Sequence, residues 1–327
     1  MTGAAGAIGQ ALVRTLLRQG YRVGALVRKE GDERLLPGDV EIIRGDITDR
    51  NALLRGADGV DCVFHLAAKP HRDLPGSALH SEYVRVNVEG SRQLARALKE
   101  ARVGRLVFFS TINVYGTGPT SGLYTEESPL SPISWYAETK AEAERVLLSE
   151  SPAVVLRLGA VYGPCMRNNY MRLLFALRKR MFVPIGPGRN RRTLVYVADA
   201  CEAALLVARH SDAQGQVFNV TDGGVHSFQE IIHAMSLALG RRAPALHVPV
   251  GAARLAAMGV DAVTSVLGRG EMSASYAINK IIEDLAVSGA KLGRLGFRPK
   301  FDLHRGWEET VRAQLLAKDR TGNVVEG

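Results

Sequence analysis

The sequence is poor in cysteine, and its three cysteines, Cys62, Cys165 and Cys201, stand far apart without metal-ligand spacing. That excludes a disulfide framework and fits a reducing compartment, so a cytoplasmic protein is expected. The eight histidines form no H-E-x-x-H or comparable pair, and no metal is expected. Long uncharged apolar runs are also missing. The most apolar stretch, Val248 to Leu267, is interrupted by Arg254 and Asp261 and is expected to be a buried or partner-facing helix, not a membrane span. No signal-peptide pattern, repeat or low-complexity segment is visible. No membrane partner is expected.

Acidic residues are outnumbered: 42 Lys and Arg face 33 Asp and Glu, for a net charge of +9. Such a balance suits nucleic acid or an anionic small molecule. The arginines are spread along the chain, without a basic run or interleaved aromatics. A small anionic molecule is therefore expected, and no nucleic acid.

What is present begins at once. Gly3, Gly6 and Gly9 open a helical run from Gln10 to Gln19. Glycines at this spacing let the backbone approach a pyrophosphate, whose charge the helix N-terminus favours; a plain glycine-rich turn is the alternative. Such a turn follows a buried strand, yet only Met1 and Thr2 precede it. In a doubly wound sheet that strand is central, so about six upstream residues are expected to be missing from this chain.

Strands and helices then alternate over the 327 residues. Strands are predicted at 21–27, 40–44, 60–66, 105–110 and 153–158. Long helices are predicted at 82–101 and 134–149. This alternation predicts an α/β fold with a parallel sheet covered on both faces, and ligands at the carboxyl ends of the strands. After Gly163-Pro164 the texture becomes mostly helical, with helices at 169–180, 199–210 and 227–239. A basic loop from Gly186 to Arg192 and a short strand at 193–197 intervene. Val217 to Val220 is predicted to return to the main sheet, and a last helix to run near 305–317.

Tyr136 and Lys140 stand four apart on the predicted helix, one above the other. A phenol is a poor base at neutral pH, but a cation within roughly 4–6 Å favours its phenolate. The pair is thus a candidate proton shuttle between an alcohol and a ketone. By itself the spacing also fits an ordinary amphipathic helix.

Together the glycine turn, Asp46, His65-Leu66-Ala67-Ala68, Asn87, Ser110-Thr111 and the Tyr136/Lys140 pair resemble an extended short-chain dehydrogenase/reductase of the NAD-dependent epimerase/dehydratase group. The resemblance continues through Leu156 to Pro164 and Leu194 to Asp199. It implies a Rossmann-type fold with a smaller, mostly helical substrate region. It also implies that Gly3, Gly6 and Gly9 hold the cofactor pyrophosphate, that Asp46 and Ile47 flank the adenine, and that Ala67 and Ala68 line the ribose side. Asn87 would stabilise backbone beside the cofactor. Tyr136 would be the acid or base, Lys140 would lower its pKa and bind the ribose, and Thr111 would bind the substrate oxygen.

Departures from the family pattern narrow the function. Dehydratases of the group carry an Asp-Glu pair after the threonine; Ile112 and Asn113 stand here, which argues against dehydration. Arg28 at the end of the second strand suits a 2′-phosphate, so NAD(P) is expected with NADP favoured. Arg192 stands seven residues before Asp199, where nucleotide-sugar epimerases place an arginine on the nucleotide. Asn169 is a further substrate candidate. Ala160 replaces an asparagine common in those enzymes. The leading expectation is a nucleotide-sugar epimerase acting at C4. An NADP-dependent reductase or 3β-hydroxysteroid-type dehydrogenase stays open, as does a non-catalytic dinucleotide-binding protein. The resemblance also implies a homodimer through the two long helices. The expected division is a dinucleotide-binding unit of residues 1–163 with 194–222, a substrate-binding region of 164–193 with 223–317, and a tail from 318 to 327.

Overall fold

The computed structural model describes residues 1–69, 77–117, 122–266 and 274–321. In chain order the strands are β1 (Gly24–Val27), β2 (Glu41–Arg44), β3 (Cys62–His65), β4 (Arg105–Thr111), β5 (Ala153–Leu158), β6 (Ala160–Tyr162), β7 (Arg191–Arg192), β8 (Leu194–Tyr196), β9 (Val217–Val220) and β10 (His226–Ser227). The first helices are α1 (Ala7–Arg18), α2 (Arg50–Ala57), α3 (Ser77–Tyr83), α4 (Gly90–Glu100), α5 (Trp135–Glu150) and α6 (Asn169–Arg178). They are followed by α7 (Val197–Arg209), α8 (Phe228–Ala238), α9 (Val250–Val266), α10 (Ala274–Ile282), α11 (Ala290–Arg294) and α12 (Leu303–Thr321).

The main sheet is parallel. β1 pairs with β2, and β3, β4, β5 and β9 run in that order. Between β1 and β3 stand Met1 and Thr2. Thr2 bridges Leu26 on one side and His65 on the other. The Leu26 amide donates to the Met1 carbonyl at 2.8 Å, and the Thr2 amide donates to the Phe64 carbonyl at 3.0 Å. Two residues therefore hold the central place of the sheet, and a slot lined by Gly24, Ile43, Val63 and Leu98 continues from them.

Alternation along the strands builds one core on each face. Val107 and Phe109 of β4 join Val154 and Leu156 of β5 on the face covered by α1 and α7. Leu106 and Phe108 join Ala153 and Val155 on the face covered by α2, α4 and α5. Successive side chains of a strand point to opposite faces, so an unbroken apolar run fills both layers of a covered parallel sheet. All six residues of β5 are buried. A third core, around Tyr162, Trp307, Ile231 and Leu174, ties α6, α8 and α12 to β6 and β8.

Local chemistry sets several boundaries. Ser134 caps α5 by accepting from the Ala137 amide, and Asp49 caps α2. Ser227 and Glu230 form a reciprocal capping box on α8. The structure differs from the sequence reading at several places. The helix predicted over 82–101 is α3, a widened π-type turn over Val84–Glu89, and α4. The widening places Asn87 so that its carboxamide meets chain outside the helix. The predicted strand at 21–27 begins at Gly24, because Tyr21 and Arg22 are exposed. Helix α9, expected to be buried or partner-facing, has Ala253 and Ala257 covered while Leu255 and Met258 face outward. Its neighbour α10 packs Ile278 against Ala253 and Ala257. Leu267, the end of that apolar stretch, lies outside the described residues. α12 runs to Thr321, past the expected start of the tail, and residues 322–327 lie outside the described residues.

Candidate functional site

The glycine turn sits at the carboxyl end of the central sheet position. Gly3 has φ +69°, and a Cβ there would stand 2.6 Å from the Ala67 nitrogen. A Cβ on Gly9 would lie 2.2 Å from the Gly3 carbonyl oxygen. Both positions exclude a side chain because backbone packs against backbone. Gly6 is the N-cap of α1 and brings no side chain to the first-turn amides. Those amides are left for an outside acceptor, which is what an anion at a helix N-terminus requires.

Arg28 and Asp46 meet at the ends of β1 and β2, 3.7 Å apart. The Asp46 carboxyl is held below its ordinary range: burial opposes ionisation, but hydrogen bonds from the Thr48 hydroxyl and amide and the nearby Arg28 outweigh it. Ile47, next along, is core. Its side chain packs on Gly90, where a Cβ would lie 2.9 Å from the Ile47 Cγ2. Any part it has beside a ligand is therefore carried by its backbone. Ala67 and Ala68 are half-buried beside Gly3.

Asn87 is buried. Its Oδ1 accepts from the Lys69 amide at 2.8 Å, and its Nδ2 donates to the Thr139 hydroxyl at 3.0 Å. This is the expected backbone-stabilising geometry, and it ties the chain after Ala68 to helix α5.

Tyr136, Lys140 and Thr111 lie where β4 ends against α5. Lys140 is buried; its Nζ donates to the Phe109 carbonyl at 2.6 Å and stands 3.8 Å from the Phe108 ring centre. Burial lowers its pKa to about 7, against the attraction of Glu144. The Tyr136 phenol is pushed up to about 12 by burial and by Tyr83. This direction is opposite to the one expected from the Tyr136/Lys140 spacing. Desolvation of the phenolate dominates, and the Lys140 ammonium is spent on the Phe109 carbonyl. Thr111 caps the turn Ile112–Tyr115, accepting from the Asn113 amide at 3.2 Å. Its own O–H remains a donor.

The substrate candidates come from the other lobe. Arg192 lies 3.6 Å from Glu283 and donates to the Ile281 carbonyl at 3.3 Å. Its charge also reaches the half-buried phenol of Tyr170 in α6. Asn169 is exposed at the start of that helix, whereas Asn168 is the cap, accepting from the Met171 amide.

Several polar residues at the site were not singled out from the sequence. Arg157 of β5 makes a buried ion pair with Glu144 at 2.7 Å and donates to the Tyr115 hydroxyl at 2.8 Å. The Ser110 hydroxyl donates to Glu144, and the Tyr115 hydroxyl donates to Asn219 Oδ1 at 2.8 Å. Thr2, His65 and Ser91 form a second buried chain. The available signal was a polar residue inside an apolar strand, as Arg157 in Ala153–Leu158 and Asn219 in Val217–Val220. Among the described residues no group of His, Cys, Asp or Glu gathers as for a metal ion.

A glycine turn thus opens a helix on a parallel sheet, and Tyr136 and the buried Lys140 stand one helical turn apart at the end of a neighbouring strand. Residues 1–221 match the NAD dependent epimerase/dehydratase family, and the chain belongs to it. It is 28% identical to UDP-glucose 4-epimerase of Vibrio cholerae, over 98% of this chain and 96% of that one. It is 32% identical to 2-alkyl-3-oxoalkanoate reductase of Stenotrophomonas maltophilia (strain K279a), over 73% of this chain and 75% of that one. Among solved structures it is similar to MoeE5 in complex with UDP-glucuronic acid and NAD. That match has a TM-score of 0.75 and 28% identity, covering 97% of this chain and 98% of that one. The dinucleotide that the family implies suits the residues present: Gly3 and Gly9 exclude side chains, and no side chain caps the first-turn amides of α1.

Proposed function

We propose that the chain is an NAD(P)-dependent nucleotide-sugar epimerase acting at C4 through a keto intermediate. The observation that carries this reading is half-buried Tyr136 one helical turn from buried Lys140 at the end of β4, in the same sheet as the glycine turn. The likeness to a UDP-glucose 4-epimerase over nearly the whole chain supports it. A bound nicotinamide dinucleotide would supply hydride acceptance and return. Gly3, Gly6 and Gly9 would hold its pyrophosphate, with Asp46, Ile47, Ala67 and Ala68 along the adenosine and ribose and Asn87 supporting the backbone there. Tyr136 would take the proton of the sugar hydroxyl and give it back, Thr111 would hold that oxygen, and Lys140 would set the charge of the pair. Arg192 and Asn169 would face the nucleotide part of the substrate. Arg28 favours NADP in this reading, by offering a guanidinium to a 2′-phosphate. Dehydration is disfavoured because Ile112 and Asn113 offer no carboxyl acid.

The same reading divides the chain into residues 1–163 with 194–222, which bind the dinucleotide, and 164–193 with 223–317, which bind substrate. It pairs α4 and α5 across a homodimer axis. It places the protein in a reducing cytoplasm, in line with three cysteines that are all free.

A second reading has a specific observation behind it. Arg192 is already engaged by Glu283 and the Ile281 carbonyl, which suits an NADP-dependent reductase of an apolar ketone, and a reductase is among the relatives. The two readings separate in one experiment. Purified protein is denatured, the released dinucleotide is identified and counted, and turnover of UDP-glucose is followed by proton NMR. Tightly held dinucleotide and appearance of the C4 epimer support the epimerase. An empty protein that oxidises NADPH only with an added ketone supports the reductase and sinks the epimerase.

A further inference from the structure

Two stretches of the chain carry no carboxylate at all: residues 151–198 and residues 231–260. In a protein with 33 acidic residues, such gaps let positive charge gather where the two stretches meet. They meet on the surface of the second lobe. Ile185 bridges Val248, the Gly186 amide donates to the Val248 carbonyl at 2.8 Å, and the Val248 amide donates to the Pro184 carbonyl at 2.9 Å. Arg241 bonds the Arg178 carbonyl at the end of α6. Helix α9 lies on the same seam, resting Ala253 and Ala257 near Ile185 and Ile278.

This face is both cationic and apolar. Lys179, Arg180, Arg242 and Arg254 are exposed on it. So are large apolar side chains: Met181 is 75% exposed, Leu246 83%, Leu255 72% and Met258 63%. On α9 the covered alanines, four apart, mark the inner stripe, so Leu255 and Met258 point away from the protein. Single exposed leucines are unremarkable, but several large apolar side chains on one basic face are unusual for a free surface.

We propose that this face docks on an anionic lipid surface, with Met181, Leu246, Leu255 and Met258 entering the headgroup layer and the surrounding Lys and Arg side chains meeting lipid phosphates. The chemistry selects this occupant. A nucleic acid would reward the cations and leave the leucines in water. A second copy through the same face would set like charges against each other. An anionic bilayer rewards both kinds of group at once, as for interfacial amphipathic helices. The docking is peripheral, since among the described residues no helix is long and apolar enough to cross a membrane. It revises the expectation of no membrane partner and is independent of the epimerase reading, because it would hold for a substrate in solution or in the lipid.

The test is co-sedimentation of the full chain with vesicles of phosphatidylcholine alone, and with roughly one-third phosphatidylglycerol. Binding to the anionic vesicles only, weakened about tenfold or more between about 0.05 and 0.5 M salt, is expected. Leu255→Ser with Met258→Ser should lower the partition about tenfold by removing buried apolar area. Lys179→Glu with Arg254→Glu should abolish it. All four positions are exposed, so the circular dichroism and melting curve should match the parent. Failure to bind anionic vesicles, or binding that ignores both double variants, overturns the proposal. So does a concentration-dependent dimer that Leu255→Ser dissolves, which would assign the face to self-association. Salt-sensitive binding to duplex DNA that survives Leu255→Ser, without vesicle binding, would assign it to nucleic acid.

Discussion

The imidazole of His65 stands 2.7 Å, at Nδ1, from the hydroxyl of Thr2, sixty-three residues away in the chain. The hydrogens in this contact are fixed by their neighbours. Ser91 donates to the Asn87 carbonyl, so its oxygen accepts from His65 Nε2 at 3.0 Å. Nε2 therefore carries the proton, Nδ1 accepts, and Thr2 is the donor. Thr2 in turn accepts from the Ala67 amide at 3.2 Å. One neutral histidine thus couples the glycine turn, the end of β3 and the widened turn that holds Asn87. Every group in such a buried chain needs its partner, so the chain locks one arrangement.

Protonating His65 would break this order, and its folded pKa is lowered to about 3 by burial, with Lys140 and the N-terminus adding repulsion. The unfolded chain takes up the proton near 6.5. The contribution of His65 is thus complete above pH 6.5 and is lost as pH falls toward 3. Melting temperatures between pH 7 and 4 should fall less steeply in His65→Gln than in the parent, from a lower starting value. Equal slopes would show that the imidazole is not held neutral.

Tyr136→Phe removes only a hydroxyl. Positioned acid–base groups contribute about 10²–10⁴ in rate, and a loss of that order in turnover is expected, with the fold and dinucleotide affinity retained. Near-parental turnover would remove Tyr136 from the proton path.

Glu144 of α5 and Arg157 of β5 form a buried pair. Removing one partner strands the other charge and costs about 3–5 kcal/mol, so Glu144→Gln and Arg157→Met should each melt far below the parent. The double variant Glu144→Leu/Arg157→Met should recover part of that loss. Calorimetric melting of the three proteins would decide whether the pair is coupled, and additive losses would show that it is not.

Arg28 is half-exposed and close to Asp46. Arg28→Asp should shift dinucleotide preference toward NAD by tenfold or more, in line with about 1.5–3 kcal/mol for a hydrogen bond to a charged group. Dissociation constants for NADPH and NADH, measured by fluorescence titration, would read it. An unchanged ratio would place Arg28 outside the adenosine site.

Gly9→Ala puts a methyl 2.2 Å from the Gly3 carbonyl oxygen. The turn must open, and dinucleotide affinity should fall by at least tenfold, a conservative bound for displacing the backbone amides that meet the phosphates. Retention equal to the parent would count against the phosphate-turn assignment.

Much of this was legible in the primary structure because the signals are local. Gly3, Gly6 and Gly9 declare a close backbone approach wherever they fold. Tyr136 and Lys140 share a helix face by spacing alone. The apolar run at Ala153–Leu158 announces a strand covered on both sides, and the return of Val217–Val220 beside it followed from the same pattern. The tertiary structure alone decided what depends on groups far apart in the chain. It set the direction of the Tyr136 pKa, since desolvation comes from what surrounds a side chain. It paired Arg157 with Glu144 and Thr2 with His65, because complementary partners leave no periodicity to read. It also turned the apolar face of α9 outward. Composition counts leucines, but burial is settled by whether a neighbouring element reaches them, and on α9 the neighbours cover Ala253 and Ala257 but not Leu255 or Met258.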